Sequence, residues 1–421
     1  MRIPRLLAIA AALWAGFATP RSGAQTGLTR LYNFTPSNGA NPGGIVAGPN
    51  GVLYGATAYG GNGAFPGEGT VFALQPPATP ASPWAQTVLY AFTSGRVAFP
   101  TVTPVVGPNG VLYGTTGYGG NGSGTVYELQ PPASPGGAWT ETVLYTFPGS
   151  VNAFGGFATS LVLGPGGVLY GTTYSGGDYG QGLVFRLTPP APGSGGAWSE
   201  RDLYSFTGTS DGSGPEALVI TAKGAIYGAT YGGGTWGAGA IFEITPPAAP
   251  AQDWKETVLY SFTGGADGSN PWQSSLTASD GVLYGTTFYG GASDAGTVFQ
   301  LQPPAEAGGA WTETVLYNFG KGHGYGPNSP LIVSDGDIYG TTSLMYTGDP
   351  ILGSSGAGGI VFLLQKPATP GGPWTELILH QFLNDDIPYG SLFLDKAGVL
   401  YGTALDSNGP PGDGFVYKIT R

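Results

Sequence analysis

A tyrosine–glycine pair followed by two small or hydroxyl residues recurs along the chain, and this repeat restricts the fold more than any other feature. The seven copies are Tyr54–Thr57, Tyr113–Thr116, Tyr170–Thr173, Tyr227–Thr230, Tyr284–Thr287, Tyr339–Thr342 and Tyr401–Ala404. Successive tyrosines lie 55 to 62 residues apart. A period of this length indicates tandem units of supersecondary structure that stack on one another.

Each repeat contains four strand signals. The first is a short apolar run such as Ser160–Leu163. A hairpin of the Gly-Pro-Asn-Gly type, as at Gly107–Gly110, then leads into the Tyr-Gly strand. A glycine-rich loop then precedes a third strand such as Gly296–Leu301, which ends at a Pro-Pro-Ala segment. The fourth strand begins at a tryptophan, as in Trp311–Phe319. Four short antiparallel strands at this period are typical of one blade of a β-propeller, so we predict an all-β, seven-bladed propeller.

The two ends of the chain predict how the ring closes. A fourth-strand signature, Leu31–Phe34, comes before the first complete repeat, and the last repeat stops after its third strand, at Gly414–Ile419. The N-terminal strand is therefore expected to complete the last blade, which removes two exposed sheet edges. We predict one propeller domain over residues 25–421.

The 78 glycines and 37 prolines would suggest disorder in an aperiodic chain, but here they keep register with the strands and indicate tight turns. The tryptophans that open the fourth strands are predicted to pack between blades. They are Trp84, Trp139, Trp198, Trp254, Trp311 and Trp374.

The first 24 residues are predicted to be a secretory signal peptide. Arg2 and Arg5 precede an apolar run, and small residues around Ala24 offer a cleavage point. The run is too short to span a bilayer. We therefore expect a secreted or periplasmic protein without a membrane span, and a monomer.

The block Gly39–Pro42, Val52–Gly55 and Gly69–Phe72 resembles the Gloeo/Verruco (GloVer) tandem repeat of exported bacterial proteins called choice-of-anchor GloVer-containing proteins. The resemblance covers essentially the whole chain after the signal. It implies export and a repeat architecture but carries no established activity. Members often end in a variable sorting signal, and the apolar tail that such a signal needs is not seen before Arg421, so we expect a freely soluble product.

Composition excludes several classes of site. The absence of cysteine excludes disulfides and thiolate chemistry, and two histidines cannot form a multi-histidine metal site. We predict no metal and no cofactor. A net charge of -11 argues against nucleic acid as a partner.

Strand alternation places the loops between second and third strands on the same face as the loops that enter each blade. This face carries aromatic and carboxylate side chains suited to a glycan or another surface component. The predicted ligand-binding residues are Trp236, Trp272, Asp267, Asp385, Asp386 and Tyr289. The primary hypothesis is an exported, non-enzymatic binding protein whose partner is a polysaccharide or a surface protein.

One entry loop on this face suggests an alternative. His323 and Tyr325 could act as base and acid in abstracting a sugar proton, with Lys321 or an arginine such as Arg96 holding a carboxylate. The alternative hypothesis is therefore a carbohydrate-active enzyme, a polysaccharide lyase or a glycoside hydrolase. A surface histidine in a glycine-rich loop would have the same pattern, and a purely structural role in the envelope or matrix stays open.

Overall fold

The structure is a computed structural model that describes residues 27–61, 67–79, 82–93, 99–100, 102–117, 124–134, 136–148, 158–221, 224–247, 253–272, 276–306, 308–320, 322–345, 357–383, 386–406 and 414–420. These residues form 29 strands in seven antiparallel sheets. The predicted signal peptide, Arg96, Lys321 and Asp385 lie outside the described residues. Each sheet is one blade of a propeller, as the repeat predicts.

The strands are given blade by blade, from the innermost strand outwards. Blade 1 contains β2 (Ala40–Ala47), β3 (Leu53–Tyr59), β4 (Thr70–Gln75) and β5 (Ala85–Ala91). Blade 2 contains β6 (Val105–Val106), β7 (Leu112–Thr116), β8 (Thr125–Gln130) and β9 (Thr140–Thr146). Blade 3 contains β10 (Ala158–Leu163), β11 (Leu169–Thr173), β12 (Leu183–Thr188) and β13 (Ser199–Ser205). Blade 4 contains β14 (Ser213–Ile220), β15 (Ile226–Gly232), β16 (Ala240–Thr245) and β17 (Lys255–Ser261).

Blade 5 contains β18 (Leu276–Ser279), β19 (Val282–Thr287), β20 (Thr297–Gln302) and β21 (Thr312–Asn318). In blade 6 the innermost strand is split into β22 (Gly324–Pro327) and β23 (Ile332–Ser334), followed by β24 (Asp337–Met345), β25 (Ala357–Gln365) and β26 (Thr375–Leu383). Blade 7 contains β27 (Ile387–Leu394), β28 (Leu400–Leu405), β29 (Gly414–Thr420) and, outermost, β1 (Gly27–Asn33). Short 3-10 turns join the first two strands of blades 1 to 3, at Pro49–Gly51, Pro108–Gly110 and Pro165–Gly167.

Ring closure by the N-terminal strand is confirmed. β1 pairs antiparallel with β29, and Leu28 lies opposite Ile419 in the register. A second contact closes the ring nearer the channel, where the Pro42 ring lies 2.4 Å from the position that a Cβ on Gly414 would take. The blade-entry proline of blade 1 thus packs on the start of the third strand of blade 7.

The glycine of the repeated pair is needed for space. A Cβ on Gly171 would lie 2.4 Å from the Phe185 ring and 2.6 Å from the Ser160 carbonyl oxygen. Gly55 stands in the same relation to Phe72, and Gly228 to Phe242. The aromatic side chain of each third strand therefore rests on the glycine of the second, and these rings fill the buried core.

The tyrosine of the pair packs between blades. Its ring contacts the tryptophan of the following blade in edge-to-face geometry, with centroids 5.8 to 6.3 Å apart. The pairs are Tyr54–Trp139, Tyr113–Trp198, Tyr227–Trp311 and, across the closure, Tyr401–Trp84. The predicted role of these tryptophans is confirmed.

Hydrogen bonds between loops confirm the predicted sorting of loops onto faces. The backbone N–H of Asn270, in the loop entering blade 5, donates to the Ala238 carbonyl in the glycine-rich loop of blade 4. Gly326 donates in the same way to Ala295, one blade further on. We call the face that carries both loop sets the entry face.

Candidate binding site at the channel mouth

Residues of all seven blades, from the innermost strands and the loops beside them, line a central cavity of about 650 Å³. The polar and aromatic residues that line it include Thr103, Ser160, Glu216, Trp272, Asn328 and Tyr389. A cavity of this size can hold much of a small ligand, and the surrounding sheets hold its walls rigid.

The lining varies at one position of the repeat. Where the chain enters a blade, the residue after the entry proline is Glu216 in blade 4, Trp272 in blade 5, Asn328 in blade 6 and Tyr389 in blade 7. In each of these four blades the proline packs on a glycine of the preceding blade, whereas the next residue faces the cavity. These four blades thus place chemically different side chains at equivalent positions around the cavity.

Six aromatic side chains form a continuous arc around part of the entry face, which we call the aromatic crescent. Its members in order are Tyr174, Tyr231, Trp272, Phe288, Tyr289 and Tyr325. Neighbouring ring centroids are 4.7 to 6.4 Å apart, and Phe288 also lies 6.0 Å from Tyr325. The crescent runs from blade 3 to blade 6, and Tyr174 and Trp272 carry it into the cavity.

The crescent breaks the sevenfold symmetry at a defined register. Tyr174, Tyr231 and Phe288 each lie four residues after the tyrosine of the repeated pair. The other four blades have Ala58, Gly117, Ser343 and Leu405 at this position. Only one side of the channel mouth is therefore aromatic at this register.

Glycines in the blade-entry strands provide the space for two of these rings. A Cβ on Gly214 would lie 2.8 Å from the Tyr174 ring, and one on Gly326 would lie 2.6 Å from the Phe288 ring. Both glycines have positive φ, of 59° and 60°, which a bulkier residue would adopt with strain. Each ring thus packs directly on the backbone of a glycine that a larger residue could not replace without strain.

A buried carboxylate lies beside the crescent. Glu216 is 7 % exposed and lines the cavity. Burial raises the pKa of Tyr174, and the charge of Glu216 raises it further. Burial also raises the pKa of Tyr231, with smaller contributions from Tyr289, Tyr174 and Glu216. The phenols stay protonated, so their hydroxyls can donate hydrogen bonds.

The predicted ligand residues divide into two groups. Trp272 and Tyr289 lie in the crescent, as does Tyr325, the predicted catalytic acid. Trp236 is 67 % exposed and lies towards the outer edge of blade 4, where the neighbouring Thr235 N–H donates to Ser261 of the outermost strand. The equivalent aromatic of blade 3, Tyr179, is 60 % exposed.

Asp267 lies in a blade junction, by which we mean the contact between the fourth-strand tyrosine of one blade, the entry loop and the fourth-strand glutamate of the next. Its carboxylate accepts hydrogen bonds from the Tyr260 hydroxyl at 2.9 Å, from the Thr263 N–H at 2.8 Å and from the Thr263 hydroxyl at 2.6 Å. Asp211 makes the corresponding bonds to Tyr204 and Thr207 one blade earlier. These contacts hold the entry loop in shape.

His323 occupies the corresponding place in the junction between blades 5 and 6. Its Nδ1 is bonded to the Glu376 carboxylate and lies 3.0 Å from the Tyr317 hydroxyl, which also donates to Glu376. The histidine side chain is 46 % exposed and Glu376 only 3 %. The structure thus places His323 with Tyr317 and Glu376, and places Tyr325 in the crescent.

Asp386, the last of the predicted ligand residues, is buried at the closure of the ring. It forms an ion pair of 2.9 Å with Arg30, whose guanidinium also bonds Asp406 and lies 3.7 Å from the centre of the Phe415 ring. Arg30 belongs to the N-terminal strand, so this pair ties that strand to blade 7.

The junction glutamates have raised pKa values. Burial is the main cause at Glu200, Glu256 and Glu313, and it raises the pKa of each to about 7. The neighbouring charges of Asp211 and Asp267 contribute further at Glu256 and Glu313, respectively. These groups lie in the seams between blades.

Sequence reasoning missed Glu216 and Phe288. Both could have been found by comparing the residues at equivalent positions of the repeats. Phe288 shares the position of Tyr174 and Tyr231, and Glu216 shares the position of Trp272. The informative signal is a residue that differs from those at the equivalent position of the other repeats. His323 and Asp267 were selected on residue type alone.

Two general properties of the described residues bear on the site. No helix among them is long and apolar enough to cross a membrane. Nor does this part of the chain bring three histidine, aspartate or glutamate side chains together in a way that could hold a metal ion.

Comparison with solved structures supports the propeller fold. The extracellular domain of a protein assigned as a one component system, from B. thetaiotaomicron, matches 93 % of this chain at 11 % identity with a TM-score of 0.53. The extracellular domain of one assigned as a hybrid two component system, from the same organism, matches 94 % at 12 % identity with a TM-score of 0.50. The chain spans 40 % and 41 % of those two proteins. At these identities the likeness shows the fold alone.

A structure assigned as a glucose dehydrogenase, from Thermus thermophilus, aligns over 94 % of this chain and 100 % of its own at 16 % identity, with a TM-score of 0.45. No curated protein sequence matches this chain. The model of the Gloeobacter/Verrucomicrobia repeat matches three overlapping regions, residues 65–265, 121–305 and 248–421. These regions span most of the seven blades, and the chain belongs to the Gloeobacter/Verrucomicrobia repeat family.

Proposed function

We propose that the chain is an exported binding protein that recognises a glycan at the mouth of its central cavity. The observation that carries the proposal is the aromatic crescent, which occupies one side of the entry face and continues into the cavity through Tyr174 and Trp272. Export rests on the predicted signal peptide of residues 1–24.

The chemistry of the crescent suits a sugar. Pyranose rings present apolar faces that stack on flat aromatic side chains, and their hydroxyls need directional hydrogen-bond partners. Phenol hydroxyls, the Glu216 carboxylate and the Tyr389 side chain provide such partners around the cavity. Aromatic side chains held by a rigid frame also lose little conformational entropy when a ligand binds.

The test is retention on a panel of immobilised polysaccharides by affinity gel electrophoresis. Replacing Trp272 with alanine is expected to weaken binding about tenfold, since losing one stacking platform costs about 1.4 kcal/mol. Tyr174→Ala provides a second variant at a more exposed ring. Trp236→Ala is the matched control, because it removes a tryptophan from the same face but away from the cavity.

Three results would overturn the proposal. One is that no polysaccharide is retained, and another is that Trp272→Ala and Tyr174→Ala bind as well as the parent while Trp236→Ala does not. The third is absorbance from unsaturated sugar products during incubation, which would favour the lyase alternative.

A further inference from the structure

Glu216 is the one charged side chain among the described residues that line the cavity. The lining that the structure describes contains no lysine or arginine. The chain as a whole carries a net charge of -11, so its field does not offset this local negative charge. The cavity therefore disfavours ligands that are themselves acidic.

The position of the carboxylate is as informative as its charge. Glu216 lies close enough to Tyr174 and Tyr231 to contribute to the raised pKa of both phenols. The two rings are 6.4 Å apart and inclined by 52°, and Trp272 follows at 5.4 Å from Tyr231. Aromatic faces beside a buried carboxylate attract an ammonium group through cation–π and charge–charge interaction together.

We infer that the glycan recognised at the aromatic crescent carries free amino groups, and that Glu216 binds one of them as its ammonium while the crescent stacks on the sugar rings. This inference rests on the proposed function and names the substrate class for the same site. Uronic acid polymers are disfavoured because their carboxylates would meet Glu216.

The test compares two ligands that differ only at the sugar nitrogen, which is a free amine in one and a neutral acetamide in the other. Oligomers of β-1,4-linked glucosamine and their fully N-acetylated counterparts of equal length share rings and linkage. At pH 6 and low salt, calorimetric titration is expected to give at least about tenfold tighter binding of the amino form, which corresponds to about 1.4 kcal/mol. Added salt should reduce this preference because it screens the ion pair.

Two variants test whether Glu216 causes the preference for the amino oligomer. Glu216→Gln keeps the shape of the side chain and is expected to bind both oligomers equally, whereas Asp253→Asn removes a fully exposed surface carboxylate and should change nothing. Tetramethylammonium serves as a competitor without a sugar ring. It should displace the amino oligomer only weakly, and displacement as strong as that by glucosamine oligomers would show that a bare cation is recognised.

The two proposals can fail separately. Equal binding of both oligomers by the parent, still weakened by Trp272→Ala, would overturn the amino-sugar inference and leave glycan binding intact. A preference for the amino form that persists in Glu216→Gln would also overturn the inference. Binding of neither oligomer and of no other glycan would overturn both.

Discussion

The blade junctions and the aromatic crescent are built from the same repeat, yet they use it in opposite ways. At the junctions a tyrosine, a polar entry-loop residue and a glutamate recur with small changes, and the tyrosine hydroxyl bonds the entry-loop side chain. Four residues after the repeated tyrosine, the crescent instead holds tyrosine or phenylalanine in blades 3 to 5, whereas the other four blades have small or aliphatic residues there. Residues that recur from repeat to repeat therefore build the frame, by which we mean the packed blades and their junctions. Residues that differ between repeats at an equivalent position mark the candidate site.

The junctions and the crescent also differ in how their side chains are engaged. Asp211 and Asp267 each accept from a fourth-strand tyrosine and from a threonine of their own loop. In blade 1 the fourth-strand Gln86 donates to the Asn38 carbonyl of the entry loop. The crescent instead places large apolar ring surfaces beside a cavity. Substitutions in the frame should thus affect stability, and substitutions in the crescent should affect binding.

The largest loss of stability is expected from Gly171→Ala. The new Cβ would lie 2.4 Å from Phe185 and 2.6 Å from a backbone carbonyl oxygen, so the ring and the strand would both have to shift. We expect a loss of about 3 kcal/mol in the free energy of unfolding, measured by urea denaturation. Gly27→Ala is the control, since its Cβ would meet nothing within 4 Å. Equal stability of the two variants would contradict the packing role of the repeated glycine.

Asp267→Ala is expected to cost about 2 to 3 kcal/mol, because three hydrogen bonds to one carboxylate disappear and the Tyr260 hydroxyl loses its partner. Glycan affinity should stay unchanged, with Asp253→Ala as an exposed control. This variant decides between a junction role and the predicted ligand role of Asp267. A folded variant with weakened binding would restore the ligand role.

His323→Ala is expected to destabilise the protein by about 1 to 2 kcal/mol, since it leaves the buried Glu376 carboxylate with the Tyr317 hydroxyl but without the imidazole. Burial raises the pKa of Glu376 and the histidine lowers it, so removal of the histidine should raise it further. Thermal unfolding of the parent and the variant at one pH measures the loss. Loss of sugar binding or turnover at unchanged stability would instead indicate a role in chemistry.

The sequence was sufficient for the fold and for about half of the site. Seven copies of a four-strand pattern fix the blade, and the offset between Leu31–Phe34 and Gly414–Ile419 fixes the closure, because both depend only on periodicity. Trp272 could be selected because it departs from the tryptophan positions of the repeat, and Tyr289 because it follows a Tyr-Gly-Thr-Thr strand on the entry face. Partners could not be selected: one sequence does not show that the carboxylate of Asp267 bonds Tyr260, or that Asp386 bonds Arg30.

The smallest effect concerns the junction glutamates and has a defined sign. The pKa of Glu313 is raised from its ordinary 4.5 to about 7, so the folded protein binds this proton more tightly than the unfolded chain does. Stability contributed by the protonated form is complete below about pH 4.5 and is lost as the pH rises through 7.

Glu313→Gln should therefore raise the free energy of unfolding at pH 8 by about 1 kcal/mol, a value reduced for solvent screening, and leave it unchanged at pH 4.5. Blade 1 already has glutamine, Gln86, at this position, which shows that the frame accepts the amide. Thermal unfolding of the parent and the variant across this range measures the difference. A gain that is equal at both pH values would mean that the amide packs better and that the charge at the junction is of no consequence.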